Sequence, residues 1–177
     1  TQGRRGPVVL ALPEDVLTMD GGAPGLPPAP PARAGLDPET LTRIGEALSA
    51  AKKPLVVLGG SGWTAEARAT FQAFAERLNL PVALSFRRKD LFDNHHPNYA
   101  GDLGLGPNPK LIQRVKDADL ILALGPRLGE NPTQGYTLFS RSDTAAKLIH
   151  VHPGAEELGR VWPARIAAVA DMAPAVA

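Results

Sequence analysis

The feature that most constrains the fold of this chain is a series of short apolar runs separated by helical patterns. Several of these runs are apolar at nearly every position, so both faces of each strand are predicted to be buried. Such strands form parallel sheets, whose crossover connections are almost always right-handed. The sequence therefore predicts a doubly wound, Rossmann-like α/β fold with a parallel sheet of five or six strands and helices on both faces. The predicted strands are residues 53–58, 81–85, 119–124, 147–151 and 164–169.

Three helices are predicted from capping residues and apolar spacing. Asp37, Thr64 and Asn108 each precede a helical pattern, and such side chains accept hydrogen bonds from the free N–H groups of a helix N-terminus. The first helix is expected at residues 38–51, and a short helical turn is expected at residues 155–158. The side chains expected to face the sheet are Leu41, Ile44 and Leu48 in the first helix, Ala67, Phe71, Phe74, Ala75 and Leu78 in the second, and Leu111, Ile112 and Val115 in the third.

The N-terminal part of the chain has a different character. Residues 7–12 are apolar and β-branched, which predicts a buried strand that ends at Pro13 with no helix after it. A strand without neighbours is expected to be disordered, added to a sheet edge or paired with a second copy. Residues 18–35 are rich in Gly, Ala and Pro without hydrophobic periodicity, which predicts an extended linker. Residues 36–177 then form one domain.

The composition excludes several classes of protein. The chain has 19 Lys and Arg against 18 Asp and Glu, a net charge of +1, so no preference for nucleic acid or anionic membranes is expected. It has no cysteine, which removes disulfides and thiol nucleophiles and fits a reducing compartment such as the cytoplasm. No apolar run approaches the roughly 20 residues that span a bilayer. Because the sequence starts with Thr, we expect a piece of a longer polypeptide.

A glycine-rich loop follows the first predicted strand of the domain. Gly59, Gly60, Ser61 and Gly62 lie between a strand and a helix, where backbone N–H groups can bind a phosphate. Close packing of the strand against the helix explains the same glycines equally well. The second predicted strand ends at Ser85 with no acidic residue to bind a ribose, which counts against an ordinary NAD-dependent dehydrogenase.

The other polar clusters do not form a catalytic set. Arg87, Arg88 and Lys89 form the densest basic run, which favours a solvated loop or salt bridges to another domain over phosphate binding. His150 and His152 are expected to lie on the same side of a strand, but no third metal ligand accompanies them. No nucleophile, base and orienting acid occur in a known arrangement. No catalytic residue and no metal ligand is therefore predicted in this chain.

Several segments resemble one family of enzymes. The run GPVVLALPEDV at residues 6–16 resembles the segment that ends the first, pyrimidine-binding domain of thiamine-diphosphate-dependent enzymes. Five later segments are similar, in order and spacing, to the central domain of the acetolactate synthase (acetohydroxyacid synthase)-like members of this family. These segments are residues 53–60, 80–82, 96–101, 118–125 and 148–151.

The resemblance implies a division of the chain and a function. Residues 1–17 are expected to be the tail end of the pyrimidine-binding domain, residues 18–35 the linker, and residues 36–177 the central Rossmann-like domain. The full-length protein is expected to be a transferase or lyase that forms or cleaves a carbon–carbon bond of a 2-oxo acid. It is expected to act as a homo-dimer or tetramer. Thiamine diphosphate and Mg²⁺ are expected between its two catalytic domains, because the activating glutamate and the G-D-G…N motif of the family are missing here.

The same resemblance implies a candidate cofactor site. The acetohydroxyacid synthase branch binds FAD through a glycine loop and a G-A-R-F-D-D-R motif in its central domain. The candidate cofactor-binding residues are Gly59, Gly60, Ser61, Gly125 and Arg127. Pro126 replaces the Ala of the motif, and residues 128–131 read LGEN in place of F-D-D-R. No cofactor is therefore predicted for this chain alone, and the alternatives are a vestigial FAD-type site or a free-standing FAD- or NAD-binding module.

Overall fold

The computed structural model describes residues 6–22 and 25–177. Within these residues, six strands alternate with helices along the chain. The strands are β1 (Pro54–Leu58), β2 (Val82–Ser85), β3 (Tyr99–Leu103), β4 (Leu120–Leu124), β5 (Leu148–His152) and β6 (Ile166–Val169). The α-helices are α1 (Glu14–Leu17), α2 (Pro38–Ala50), α3 (Ala65–Arg77), α4 (Pro109–Asp117), α5 (Arg141–Lys147) and α6 (Met172–Ala175), and 3₁₀ helices occur at Lys89–Leu91 and Ala155–Glu157.

All paired strands are parallel, and the strand order is β3-β2-β1-β4-β5-β6. This is the order of a doubly wound sheet, in which the direction of winding reverses between β1 and β4. The predicted Rossmann-like α/β fold is confirmed. Ligands of such sheets bind beyond the carboxyl ends of the strands at this reversal point, which gives the place to look for a functional site.

The core has one layer on each face of the sheet. On β1, Val56 and Leu58 belong to the layer covered by α2, α3 and α6, whereas Leu55 and Val57 belong to the layer covered by α4. The four side chains are fully buried. Because neighbouring residues of a strand point to opposite faces, a strand that is apolar at every position needs both layers.

The predicted caps are present and fix where the helices begin. The Asp37 carboxylate accepts a hydrogen bond from the backbone N–H of Thr40 (2.9 Å). The Thr64 hydroxyl accepts one from the backbone N–H of Ala67 (3.0 Å). The Asn108 side chain does the same for Lys110 (2.9 Å).

The predicted strand at residues 7–12 is wrong. These residues form no strand, and Val8 and Val9 are each 92% exposed. A short helix, α1, follows them where none was expected. The sixth strand of the sheet is instead β3, in a stretch expected to be a polar loop. β3 lies at the sheet edge and is only partly buried, so its sequence lacks a continuous apolar run.

Two side chains that were predicted to be buried on helices are exposed. Leu41 in α2 is 49% exposed and Leu78, just after α3, is 47% exposed, although both were expected to face the sheet. The short helices α5 and α6 were not predicted, since a run of 7 or 4 residues carries little periodic signal.

Residues 25–35 have no helix or strand and are exposed, as expected for a linker. The division of the chain at residues 17 and 35 stays a prediction. No helix among the described residues is long and apolar enough to cross a membrane.

Candidate functional site

A cleft of about 510 Å³ lies beyond the carboxyl ends of the strands at the point where the winding reverses. The loops after β1, β2, β4 and β5 form its walls. Three of the predicted site residues, Gly60, Ser61 and Arg127, line the cleft, whereas Gly59 and Gly125 do not. The other lining residues are Ser85, Phe86, Arg88, Pro126, Gly129, Glu130, Asn131, Pro132, Tyr136, His152 and Pro153.

The glycines of the two central loops pack against each other. A side chain at Gly59 would lie 2.7 Å from Pro126 Cβ and 2.9 Å from Ser85 Cβ. A side chain at Gly60 would collide with the carbonyl group of Gly125, and one at Gly125 would collide with the carbonyl group of Gly59. The missing side chains therefore make room for protein atoms. Packing, one of the two explanations left open by the sequence, accounts for all three glycines without a ligand.

The loop after β4 (residues 126–139) has an unusual backbone. Leu128, Gln134 and Tyr136 have positive φ angles of 48°, 53° and 62°. Residues with side chains rarely adopt this conformation because the Cβ atom approaches the following carbonyl group. Leu128 is nevertheless fully buried in the core layer covered by α4. Tertiary contacts thus hold the loop in a shape that its own sequence disfavours.

Two buried side chains hold the carbonyl groups on either side of Arg127. His150 Nε2 lies 2.8 Å from the carbonyl oxygen of Pro126, and because a carbonyl group only accepts, the imidazole donates from this nitrogen. Trp162 Nε1 donates to the carbonyl oxygen of Leu128 (2.9 Å). The loop is therefore fixed from beneath by residues on β5 and near β6. The sequence showed the His150 and His152 pair but gave no sign of this role.

Burial lowers the pKa of His150. Its side chain is 2% exposed, and loss of hydration disfavours the charged form more than the Pro126 carbonyl favours it. The nearby His152 lowers the pKa further, whereas Glu157 opposes this. The Nδ1 atom of His150 is buried and has no hydrogen-bond partner among the described residues, so a second proton would find no acceptor there. His150 is therefore neutral near pH 7 with its proton on Nε2.

The free energy of unfolding is expected to fall below pH 6.5 because of His150. The ordinary histidine pKa is about 6.5. Below this pH, His150 is protonated in the unfolded chain but stays neutral in the folded chain, so protonation favours unfolding. The loss reaches at most about 1.4 kcal/mol per pH unit and becomes small above pH 7. Urea unfolding at pH 7.0 and 5.5 measures it. His150→Gln, which keeps an N–H donor, should flatten the difference, and the same change at exposed His95 should not. Equal pH dependence in both variants would contradict this role.

Arg127 is part of a small ion-pair cluster at the rim of the cleft. Its Nε lies 3.3 Å from Glu157 Oε1, and Arg160 approaches the same oxygen at 3.3 Å. The Glu157 side chain is 3% exposed, whereas the Arg127 side chain is 59% exposed. A buried carboxylate needs such partners to remain charged. Arg127 therefore has a role within the domain, while its guanidinium group stays accessible from the cleft.

The basic run after β2 is paired within the domain. Arg88 donates two hydrogen bonds to the Asp90 carboxylate, both 3.0 Å, and these hold the pKa of Asp90 below its usual range. Lys89 lies 3.2 Å from Asp102. Arg87 adopts a positive φ of 60° and places its guanidinium group 5.0 Å from the centre of the Phe86 ring. Arg88 and Lys89 therefore form salt bridges within the domain, and salt bridges from this run to another domain stay a prediction.

The two histidines of β5 lie side by side as predicted. The ring centres of His150 and His152 are 5.9 Å apart. Within the described residues, no group of three or more His, Cys, Asp or Glu side chains could hold a metal ion. Among the described residues, no Ser or Thr hydroxyl is hydrogen-bonded to either histidine.

Comparison with known families decides the identity of this fold. Residues 41–177 match the model of the central domain of thiamine pyrophosphate enzymes. The chain belongs to this family. The match covers all six strands and the loops that form the cleft, and it confirms the resemblance found in the sequence.

Relatives of this chain include two kinds of enzyme. A sulfoacetaldehyde acetyltransferase of Rhodobacter capsulatus is 35% identical over 172 residues, which are 93% of this chain and 28% of the relative. An acetolactate synthase isozyme 3 large subunit of Escherichia coli is 29% identical over 175 residues, 96% of this chain and 30% of the relative. An acetolactate synthase large subunit of Corynebacterium glutamicum is 27% identical over 177 residues, which are 96% of this chain and 27% of the relative. The chain thus spans less than a third of the relatives it matches.

Proposed function

We propose that this central domain is the non-catalytic part of a longer thiamine-diphosphate-dependent enzyme that acts on 2-oxo acids. The observation that carries the proposal is the length of the matches, which cover 93% and 96% of this chain but only 28% and 30% of the relatives. The longer protein would carry out an acetolactate synthase-like carboligation or decarboxylation. The central domain would brace the two catalytic domains of the same chain.

We place thiamine diphosphate and Mg²⁺ in the other domains of the longer protein, because the activating glutamate and the G-D-G…N motif of the family are missing from this chain. When bound there, thiamine diphosphate would supply the stabilised carbanion chemistry. No chemical step is assigned to this chain.

The cleft is a poor match for FAD. The glycine turns face each other, and the Arg127 guanidinium group is paired with Glu157. Gly60, Ser61 and Arg127 lie on the cleft wall, whereas Gly59 and Gly125 do not. Binding of a cofactor by Gly59, Gly60, Ser61, Gly125 and Arg127 stays a prediction. A free-standing FAD- or NAD-binding module is not favoured, because the domain matches the central part of much longer enzymes.

The assembly and the location of the longer protein are also proposals. We propose that it assembles as a homo-dimer or tetramer through its catalytic domains, as the resemblance to this family implies. We further propose a cytoplasmic location, because the chain has no cysteine.

Turnover of pyruvate tests the proposed function. With thiamine diphosphate and Mg²⁺, the longer protein that contains this chain is expected to consume pyruvate and release CO₂, and the reaction should stop when the coenzyme is omitted. The 177-residue chain alone is expected to be inactive. The proposal fails if the longer protein turns over no 2-oxo acid, or if the isolated chain is active by itself.

A further inference from the structure

The side chain of Asp171 does not cap the helix that it precedes. Asp171 is the N-cap residue of α6, yet its carboxylate makes no capping hydrogen bond to that helix. By contrast, the side chains of Asp37, Thr64, Asn108 and Ser140 each accept a hydrogen bond from the helix that they begin. An Asp at this position normally caps its own helix, so the carboxylate of Asp171 is engaged elsewhere.

The carboxylate instead holds the end of the linker. The backbone N–H of Ala34 donates to Asp171 Oδ2 (2.9 Å), and the backbone N–H of Asp171 donates to the carbonyl oxygen of Ala34 (2.9 Å). These contacts join residues that are 137 positions apart in the sequence. They are the tertiary hydrogen bonds of an otherwise exposed segment, residues 25–35. One of them is charge-assisted and therefore stronger than a hydrogen bond between neutral groups.

The residues after Ala34 continue the attachment. A side chain at Gly35 would be in ordinary contact with Pro174, so the backbone of the linker lies against α6. Leu36 is partly buried and packs on the core layer that contains Ile44 and Met172. Residues 34–36 therefore form a strap that starts at the Asp171 carboxylate and ends in the hydrophobic core.

We infer that Asp171 is a positioning residue that fixes where the linker joins the domain. On the proposed function, this linker connects the central domain to the domain that precedes it. The contact with Asp171 sets the direction in which the chain leaves the domain at Ala34, and it brings the start of the domain next to α6. Its loss would free residues 25–34 to move about Leu36 while leaving the sheet intact.

Cleavage after Arg33 reports directly on the strap. Arg33 is exposed, and it is the one trypsin site between Arg5 and Arg43, so a cut there gives a distinct product of residues 34–177. A protease must bind the substrate backbone on both sides of the cut, which the Ala34 hydrogen bonds prevent. Asp171→Ala removes the acceptor for the Ala34 N–H, whereas Asp171→Asn keeps an oxygen in the same place. Asn108→Ala is the matched control, because it removes a side-chain hydrogen bond at the distant helix α4.

The expected results separate a strap from a general loss of stability. Asp171→Ala should raise the rate of cleavage after Arg33, and the hydrogen-exchange rate of the Ala34 amide, about tenfold. Asp171→Asn should leave both rates within about twofold of the parent chain, and Asn108→Ala should lower the melting temperature without changing either rate. Equal rates in Asp171→Ala and the parent chain, or equal increases in all three variants, would overturn the inference. Neither measurement depends on enzymatic activity. If the inference about Asp171 fails, the proposed function is unaffected, and if the proposed function fails, the inference about Asp171 is unaffected.

Discussion

Replacing Gly60 with alanine is expected to destabilise the domain by about 3–5 kcal/mol. Gly60 has a φ of 67°, which alone costs about 1–2 kcal/mol for a residue with a side chain. The added methyl group would also collide with the carbonyl group of Gly125, which is backbone and cannot move aside by rotating a side chain. The loops after β1 and β4 would have to separate at the centre of the cleft. Urea unfolding of the variant and the parent chain measures the loss.

Gly62 provides the matched control in the same loop. It also has a positive φ, 87°, but a side chain there would meet no atom of the described residues within 4 Å. Gly62→Ala should therefore cost only the backbone strain, about 1–2 kcal/mol. If the two variants lose the same stability, the contact between the glycine turns contributes nothing, and the explanation of the glycine loop by packing is wrong.

Replacing Phe71 with alanine is expected to lower the free energy of unfolding by about 3–5 kcal/mol. Phe71 is 1% exposed and lies on the side of α3 that faces the sheet. Its ring centre is 6.1–6.2 Å from those of Trp63, Phe74 and Phe92, so the variant loses three aromatic contacts and leaves a cavity. Chemical denaturation followed by far-ultraviolet circular dichroism gives the difference.

The same helical pattern supplies a control for Phe71. Leu78 was expected on the same side of this helix, but it is 47% exposed. Leu78→Ala should therefore change the free energy of unfolding by less than about 1 kcal/mol. A loss at Leu78 as large as that at Phe71 would show that α3 packs in a different orientation.

The parts of the fold that could be predicted are those in which local sequence and burial agree. β1 and β4 are apolar at nearly every position because they lie at the centre of the sheet and are covered on both faces. β3 lies at the edge, contains Gly101 and Asp102, and is half-buried, so its sequence resembles a loop. Residues 7–12 show the opposite error, because an apolar run predicts burial even where the described chain provides nothing to cover it.

The sequence pointed to the edge of the sheet where the cleft lies, but not to the contacts found there. The glycines after β1 and β4 marked the correct edge of the sheet, because turns after parallel strands meet there. Their mutual packing joins Gly60 to Gly125, which are far apart in the chain, and no local pattern encodes such a contact. The same holds for His150 beneath Pro126 and for Asp171 at Ala34. In each case the residue type was visible in the sequence, and the partner was determined by the topology.

Binding of thiamine diphosphate tests the central claim most directly. Isothermal titration with thiamine diphosphate and Mg²⁺ would compare the 177-residue chain with the longer protein that contains it. A non-catalytic central domain predicts saturable binding by the longer protein and no heat of binding with the isolated chain. Saturable binding by the isolated chain, or none by the longer protein, would contradict the account.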